Sequence, residues 1–140
     1  MDETDRRLIA LLRADSRTPA AGLAKALKVS RGTVQNRIAR LRAQGVILGF
    51  TLRLPPDAEA HRVRAVMTLA VEGERSAAVA AALKGFPEVV ALHATNGRWD
   101  LVAELNAESL AAFSRALDQI RQIRGIAASE TSLLLETLAV

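Results

Sequence analysis

The chain of 140 residues contains no cysteine. That excludes disulfides, thiolate nucleophiles and cysteine-ligated zinc, and it fits a reducing compartment. No apolar run approaches the roughly 20 residues needed to cross a bilayer. The acidic start, Met1-Asp2-Glu3-Thr4-Asp5, does not read as a secretory signal. A cytoplasmic protein with no membrane partner is therefore expected. Aromatics are scarce, namely Phe50, Phe86, Trp99 and Phe113. Acidic residues are missing altogether between Ser16 and Pro56, a stretch that carries Arg17, Lys25, Lys28, Arg31, Arg37, Arg40, Arg42 and Arg53. Residues 1–64 hold 13 basic and 6 acidic groups, a net of +7, whereas residues 65–140 hold 6 and 9, a net of −3. Segregated positive charge points to a polyanion, because each phosphate neutralised releases condensed counterions. A merely solvated charged face is the alternative that charge alone leaves open. What is abundant is apolar: half of the residues are hydrophobic, enough to build a core.

The basic half reads as three helices. The first spans about Thr4 to Ala14, with Leu8, Ile9, Leu11 and Leu12 as its apolar stripe and Asp5, Arg6 and Arg7 outside. A second, short helix is expected to start with Thr18 as cap and Pro19 at the first helical position, and to end near Leu27-Lys28. Ser30 caps a third helix, Arg31 to Gln44, which Gly45 stops. Val34, Ile38 and Leu41 recur at helical spacing and face the core. The opposite face is small near its start, then basic, with Gly32, Asn36, Ala39, Arg40 and Ala43, flanked by Arg31, Thr33 and Gln35. A helix entering the major groove needs that, since bulk would hold it off the bases while Gln and Asn read adenine and Arg reads guanine. Two helices joined by Lys28-Val29 make a helix-turn-helix. The β-prone run Val46–Leu54 is expected to form a strand or wing. A plain three-helix bundle with a basic surface is the alternative. Double-stranded DNA is the expected partner. Arg31, Thr33, Gln35 and Asn36 are expected at base edges, and Ser30, Arg37 and Arg40 at phosphates or orienting the helix. Arg37 has the alternative of an ion pair within the chain.

After Pro55-Pro56-Asp57 the pattern changes. Strands are expected over Ala65–Val71, Val89–Thr95, Asp100–Leu105 and Ile126–Leu135. One helix covers Ser76 to Lys84; another is capped by Asn106, carries Leu110, Phe113, Leu117 and Ile120, and stops at Gly125. Asn96-Gly97 signals a type I′ hairpin. The fold class is thus α+β: a winged helix-turn-helix over 1–53, a linker over 54–64, and a ferredoxin-like βαββαβ domain over 65–140. An RNA-recognition module shares the order of the last part, but it needs aromatics on its central strands and a basic sheet, which this half lacks. Two helices cover only one sheet face, so the bare face is expected to pair with a second subunit.

Both halves together resemble the Lrp/AsnC, or feast-famine, family of transcriptional regulators. The residues that carry the resemblance are Asp2, Asp5-Arg6-Arg7-Leu8-Ile9-Ala10-Leu11-Leu12, Arg17-Thr18, Leu23-Ala24, Val29-Ser30, Thr33-Val34, Arg37-Ile38, Arg40-Leu41 and Gly45-Val46-Ile47. In the second half they are Asn96-Gly97-Arg98-Trp99-Asp100, Gly125-Ile126 and Thr131. The resemblance implies a homodimer built by the sheet domains, assembling to a tetramer or octamer, on a partly palindromic promoter site. It also implies a small-molecule effector, commonly an amino acid, near the turn. Asp100 suits an ammonium group and Arg98 a carboxylate, with Asn96 and Gly97 exposing backbone and Thr95 and Thr131 supplying hydroxyls. The alternative is that Arg98 is solvated and Asp100 only stabilises the turn. Arg98 stands where the family often has an acidic residue, so a different effector is expected. The chain also ends soon after the fourth strand, so no contact from a C-terminal extension is expected.

Two other functions are compatible with parts of the sequence. Siroheme decarboxylases resemble the same family in both halves, and they would need histidine and arginine around a tetrapyrrole. Only His61 and His93 are available, the first in the expected linker and the second within a strand. No Ser-His-Asp set, metal motif or phosphate loop is present, so no catalytic residue, metal or cofactor is expected. The intact basic third helix also favours DNA over that enzyme; the third reading is an assembly partner that no longer binds DNA, which loss of binding to its own promoter in a gel shift would support.

Overall fold

A computed structural model describes residues 1–139. The chain divides into two compact units, Met1–Arg53 and Leu54–Val140.

The first unit contains α1 (Glu3–Ala14), α2 (Ala20–Leu27) and α3 (Arg31–Ala43). Asp2 starts α1: its carboxylate accepts from the Asp5 amide at 2.8 Å, while the Asp5 carboxylate accepts from the Asp2 amide at 3.0 Å. This is a capping box built from two acids, and it satisfies two amides that no helical carbonyl reaches. At α2 the expected cap fails. Pro19 is itself the extended N-cap residue, and the Thr18 hydroxyl donates instead to the Asp15 carbonyl at 2.9 Å. Lys28 closes α2 in a left-handed conformation, φ 58°, and so turns the chain into α3. Ser30 caps α3 by accepting from the Thr33 amide at 3.1 Å, and Gly45 takes the left-handed position after it, φ +69°. The core is Leu8, Leu12, Leu23, Ala24, Leu27, Val34 and Leu41, with Ile38 at its border.

The expected wing is absent as a strand. The amides of Val46 and Ile47 both donate to the Leu41 carbonyl, and the chain then runs irregularly to Leu54. Leu48 is 93 % exposed, and Phe50, Leu52 and Leu54 are exposed as well. The alternation is suited to a strand, but no neighbouring strand within the unit supplies a ladder.

The second unit opens with a 3₁₀ turn, Pro56–Glu59, and continues through β1 (Val63–Val71), α4 (Ser76–Lys84), β2 (Val89–Ala94), β3 (Leu101–Ala107), α5 (Leu110–Arg121) and β4 (Ile126–Leu133). The βαββαβ order is as expected. The antiparallel sheet runs β2-β3-β1-β4, with Met67 opposite Ala103 on one side and Thr131 on the other. Alternation sends Ala65, Met67, Leu69, Leu101, Ala103 and Leu105 to one face, where Val79 and Leu83 of α4 and Phe113 and Ile120 of α5 cover them. The other face presents Val66, Thr68, Val102, Glu104 and His93, none of them buried. Several boundaries move. Asn106 lies inside β3, where its amide donates to the Glu88 carbonyl at 2.8 Å and its side chain accepts from Arg62 at 2.7 Å. Ser109 caps α5 in its place, accepting from the Ala112 amide at 3.1 Å. β4 stops at Leu133 rather than Leu135, and β2 at Ala94 rather than Thr95. Among the described residues no helix is long and apolar enough to cross a membrane.

Candidate nucleic-acid interface and turn region

Burial of Val34 and Leu41 fixes the rotation of α3 and turns the opposite side outward. Arg31, Gly32, Gln35, Asn36 and Ala39 are exposed along that side, and Thr33 is half-buried beside them. The Ser30 hydroxyl is shared between the Thr33 amide and the Thr33 hydroxyl, which lies at 2.8 Å. Arg31, Gln35 and Asn36 stay free of side-chain hydrogen bonds among the described residues, so their polar groups are available to an incoming partner.

Arg37 and Arg40 behave differently. Arg37 Nη1 donates to both oxygens of Asp2, at 2.9 and 2.7 Å, and to Asp5 Oδ1 at 2.7 Å. Its side chain is only 21 % exposed. Arg37 is therefore bound within the chain, as the ion-pair alternative had it, rather than free for a phosphate. Arg40 Nη2 donates to both oxygens of Asp5 at 2.9 Å while its side chain stays 49 % exposed. Asp5, expected on the outside of α1, is 1 % exposed. The hydrogen bond from Arg37, then that from the Asp5 amide, pulls the Asp2 carboxyl from the ordinary 3.8 down to about 2. Arg37 likewise lowers Asp5, and the two carboxylates, Asp2 first, raise Arg37.

In the second unit β2 and β3 are joined by six residues, 95–100. Neither Asn96 nor Gly97 has a positive φ, so the turn is not type I′. A connection this long has no need of the mirror-image turn that two-residue hairpins require. Thr95 organises it: its hydroxyl donates to the Trp99 carbonyl and accepts from the Gly97 amide, and its amide donates to the Asp100 carbonyl at 3.0 Å. Asp100 anchors the loop to β1. Its amide donates to the Leu69 carbonyl at 2.9 Å, and its Oδ2 accepts from the Val71 amide at 2.7 Å, where the β1–β4 register shifts. One oxygen of this exposed carboxylate remains available. The Arg98 guanidinium lies 5.1 Å from the centre of the Trp99 ring, a cation–π contact that keeps its fork exposed. Thr131 does not join this group. It sits on β4 opposite Met67, three strand spacings from the strand of Thr95, about 14 Å across the sheet.

His93 pairs with Glu104 at 3.3 Å on the open sheet face, and His61 lies apart, before β1. Among the described residues no group of three or more histidine or acidic side chains is placed to hold a metal ion.

Residues 1–42 match the AsnC-type helix-turn-helix domain, and residues 64–139 match the Lrp/AsnC ligand binding domain. The HTH-type transcriptional regulator FL11 of Pyrococcus abyssi is 30% identical over 137 residues, covering 98% of this chain and 91% of that protein. The HTH-type transcriptional regulator LysM of Saccharolobus solfataricus is 27% identical over 137 residues, covering 98% and 95%. The crystal structure of the Mycobacterium tuberculosis leucine response regulatory protein (LrpA) matches with a TM-score of 0.83 at 26% identity, covering 100% of this chain and 96% of that one. These similar proteins are HTH-type transcriptional regulators. The chain belongs to the Lrp/AsnC family of HTH-type transcriptional regulators, with a DNA-binding helix-turn-helix and a ligand-binding domain in one polypeptide.

Proposed function

We propose that Arg31, Thr33, Gln35 and Asn36 read the base edges of the operator, with Ser30 and Arg40 at phosphates. The observation that supports this is that Arg31, Gln35 and Asn36 are exposed and free of side-chain hydrogen bonds among the described residues, while Val34 and Leu41 on the opposite side are fully buried. Sequencing duplexes selected by the purified protein defines the site. Gln35→Ala then costs about 1–3 kcal/mol on that site and relaxes sequence choice there. Unchanged binding and choice would remove Gln35 from the interface.

The effector in this reading is an amino acid held at the loop Thr95, Asn96, Gly97, Arg98 and Asp100. The free oxygen of Asp100 meets the ammonium group and the exposed fork of Arg98 the carboxylate. Thr131 of the same chain is too distant to take part. The bare sheet face makes the homodimer, from which tetramers or octamers are built. A thermal-shift screen of the amino acids tests the ligand, because binding to the folded state raises its melting temperature. Asp100→Asn keeps an acceptor for the Val71 amide and removes the charge, so it abolishes the shift without unfastening the loop. No shift in the parent protein counts against an amino acid. A shift unchanged in the variant moves the site elsewhere.

A further inference from the structure

Asp5 is the one buried charged side chain among the described residues. Its neighbours form a closed cluster: Asp2 and Asp5 from the start of α1, and Arg37 and Arg40, one turn apart on α3. Such a cluster is a poor way to gain stability. Desolvating charges cancels much of their attraction, and apolar side chains of equal volume commonly do as well. This cluster also leaves the Nε of Arg37 buried without a hydrogen-bond partner. Its other effect is electrostatic. The segment from Ser16 to Pro56 carries eight basic groups and no acid of its own. Among the described residues, the carboxylates that meet the arginines of α3 come from outside it.

We propose that Asp2 and Asp5 are internal counter-ions of the recognition helix, holding Arg37 away from DNA and restraining Arg40 so that general phosphate attraction does not override base reading. They are positioning residues that act through the two arginines, and the proposal rests on α3 being the helix that faces DNA. Arg37 has three short contacts on one terminal nitrogen, two of them to Asp2. Among the described residues Arg40 has only its Nη2 engaged, so the rest of its half-exposed guanidinium can still meet a phosphate. Affinity that ignores sequence grows with each phosphate neutralised, whereas discrimination comes from the base edges. Withholding one arginine therefore lowers binding to arbitrary DNA and to the operator by similar factors, so that base reading supplies a larger share of the affinity that remains.

The decisive variant is Asp2→Ser in the full chain. Asp2 is exposed, and serine keeps an oxygen to cap α1 while removing the charge. Binding is followed by fluorescence anisotropy on a selected duplex and on a random duplex, at several salt concentrations. One freed phosphate contact steepens the slope of log K against log salt by about 0.9, an extra loss of about 3.5-fold for each fourfold rise in salt. Binding to the random and to the selected duplex rises by similar factors at low salt, and on both a larger share of the affinity is lost as salt rises. Adding Arg37→Gln to Asp2→Ser returns the slope to that of the parent. A folded Asp2→Ser protein with the parent's slope, and the same slope again once Asp5→Asn is added to release the remaining contact to Arg37, overturns the proposal, as does a loss of binding on both duplexes, which is what a purely structural clamp gives. Gln35→Ala run alongside separates the two ideas: if it leaves sequence choice intact, the assignment of the reading helix fails, whatever Asp2→Ser does.

Discussion

Gly125→Ala is expected to weaken the second unit severely. Gly125 opens β4 at φ +105°, a backbone region that L side chains rarely enter. A Cβ there meets Arg75 Cδ at 2.8 Å, Arg75 Cβ at 3.0 Å and Val79 Cγ2 at 3.2 Å. The backbone strain costs about 1–3 kcal/mol and the forced repacking about the same, so a total near 3 kcal/mol is a moderate expectation. For a unit of under a hundred residues that lowers the melting temperature by about 12–24 °C. The single tryptophan, Trp99, lies in this unit, so its fluorescence during heating or urea unfolding reports the loss. The two causes can be separated. Arg75 is exposed, and Arg75→Ala alone is expected to stay within about 0.5 kcal/mol of the parent. In that background the nearest atom is gone, and Gly125→Ala recovers about 1 kcal/mol of its loss, visible as coupling in a double-mutant cycle. The Cβ that alanine keeps at position 75, Val79 and the φ angle account for the rest. A Gly125→Ala protein that melts with the parent, or a cycle with no coupling, refutes the reasoning that close approach by Arg75 requires glycine here.

Acid is expected to act first on the helical unit. The depressed carboxyls of Asp2 and Asp5 stabilise the fold above their unfolded value near 3.8, and this contribution is lost as pH falls through the folded value, about 2 for Asp2. Helical circular dichroism should therefore fall below about pH 4 in the parent, and less steeply in Asp2→Asn; identical acid curves would show that the pairing is not felt. On the open sheet face, Val102→Lys places a charge where a second subunit is proposed to pack, so light scattering at micromolar concentration should show a smaller species than the parent. A monomeric parent, or a variant of unchanged mass, would mean that another surface makes the oligomer.

Much of the architecture could be read from local pattern because local chemistry decides it. Ser30 and Gly45 bracket α3, and the spacing of Val34, Ile38 and Leu41 sets which side is buried. The failures share a different cause, which is information held elsewhere in the chain. Asn106 and Ser109 are both competent caps, and the choice falls to Ser109 because the ladder with β1 extends to Ala107. The alternation from Leu48 to Leu54 is real, but a strand exists only where another backbone pairs with it. Asn96-Gly97 is a hairpin signal overridden by the length of the connection. Asp5 looked like a surface residue beside Arg6 and Arg7 until the approach of α3 brought Arg37 and Arg40 over it. For the proposed site, the exposed row on α3 followed from helical phase alone, whereas the separation of Thr131 from the loop required the strand order.

The surface of α3 is divided lengthwise into three stripes: apolar residues that pack, arginines tied to α1, and small or polar residues that face outward. Substitutions in the outward stripe touch neither of the other two, and exposed changes of this kind commonly alter stability by no more than about 0.5 kcal/mol. With that stripe as the proposed reading surface, descendants of this gene can drift in the DNA they prefer without passing through unstable intermediates. On the proposed assignment, a duplicated copy would acquire its own set of promoters through changes at positions such as 31, 35 and 36, while the scaffold that carries them stays the same.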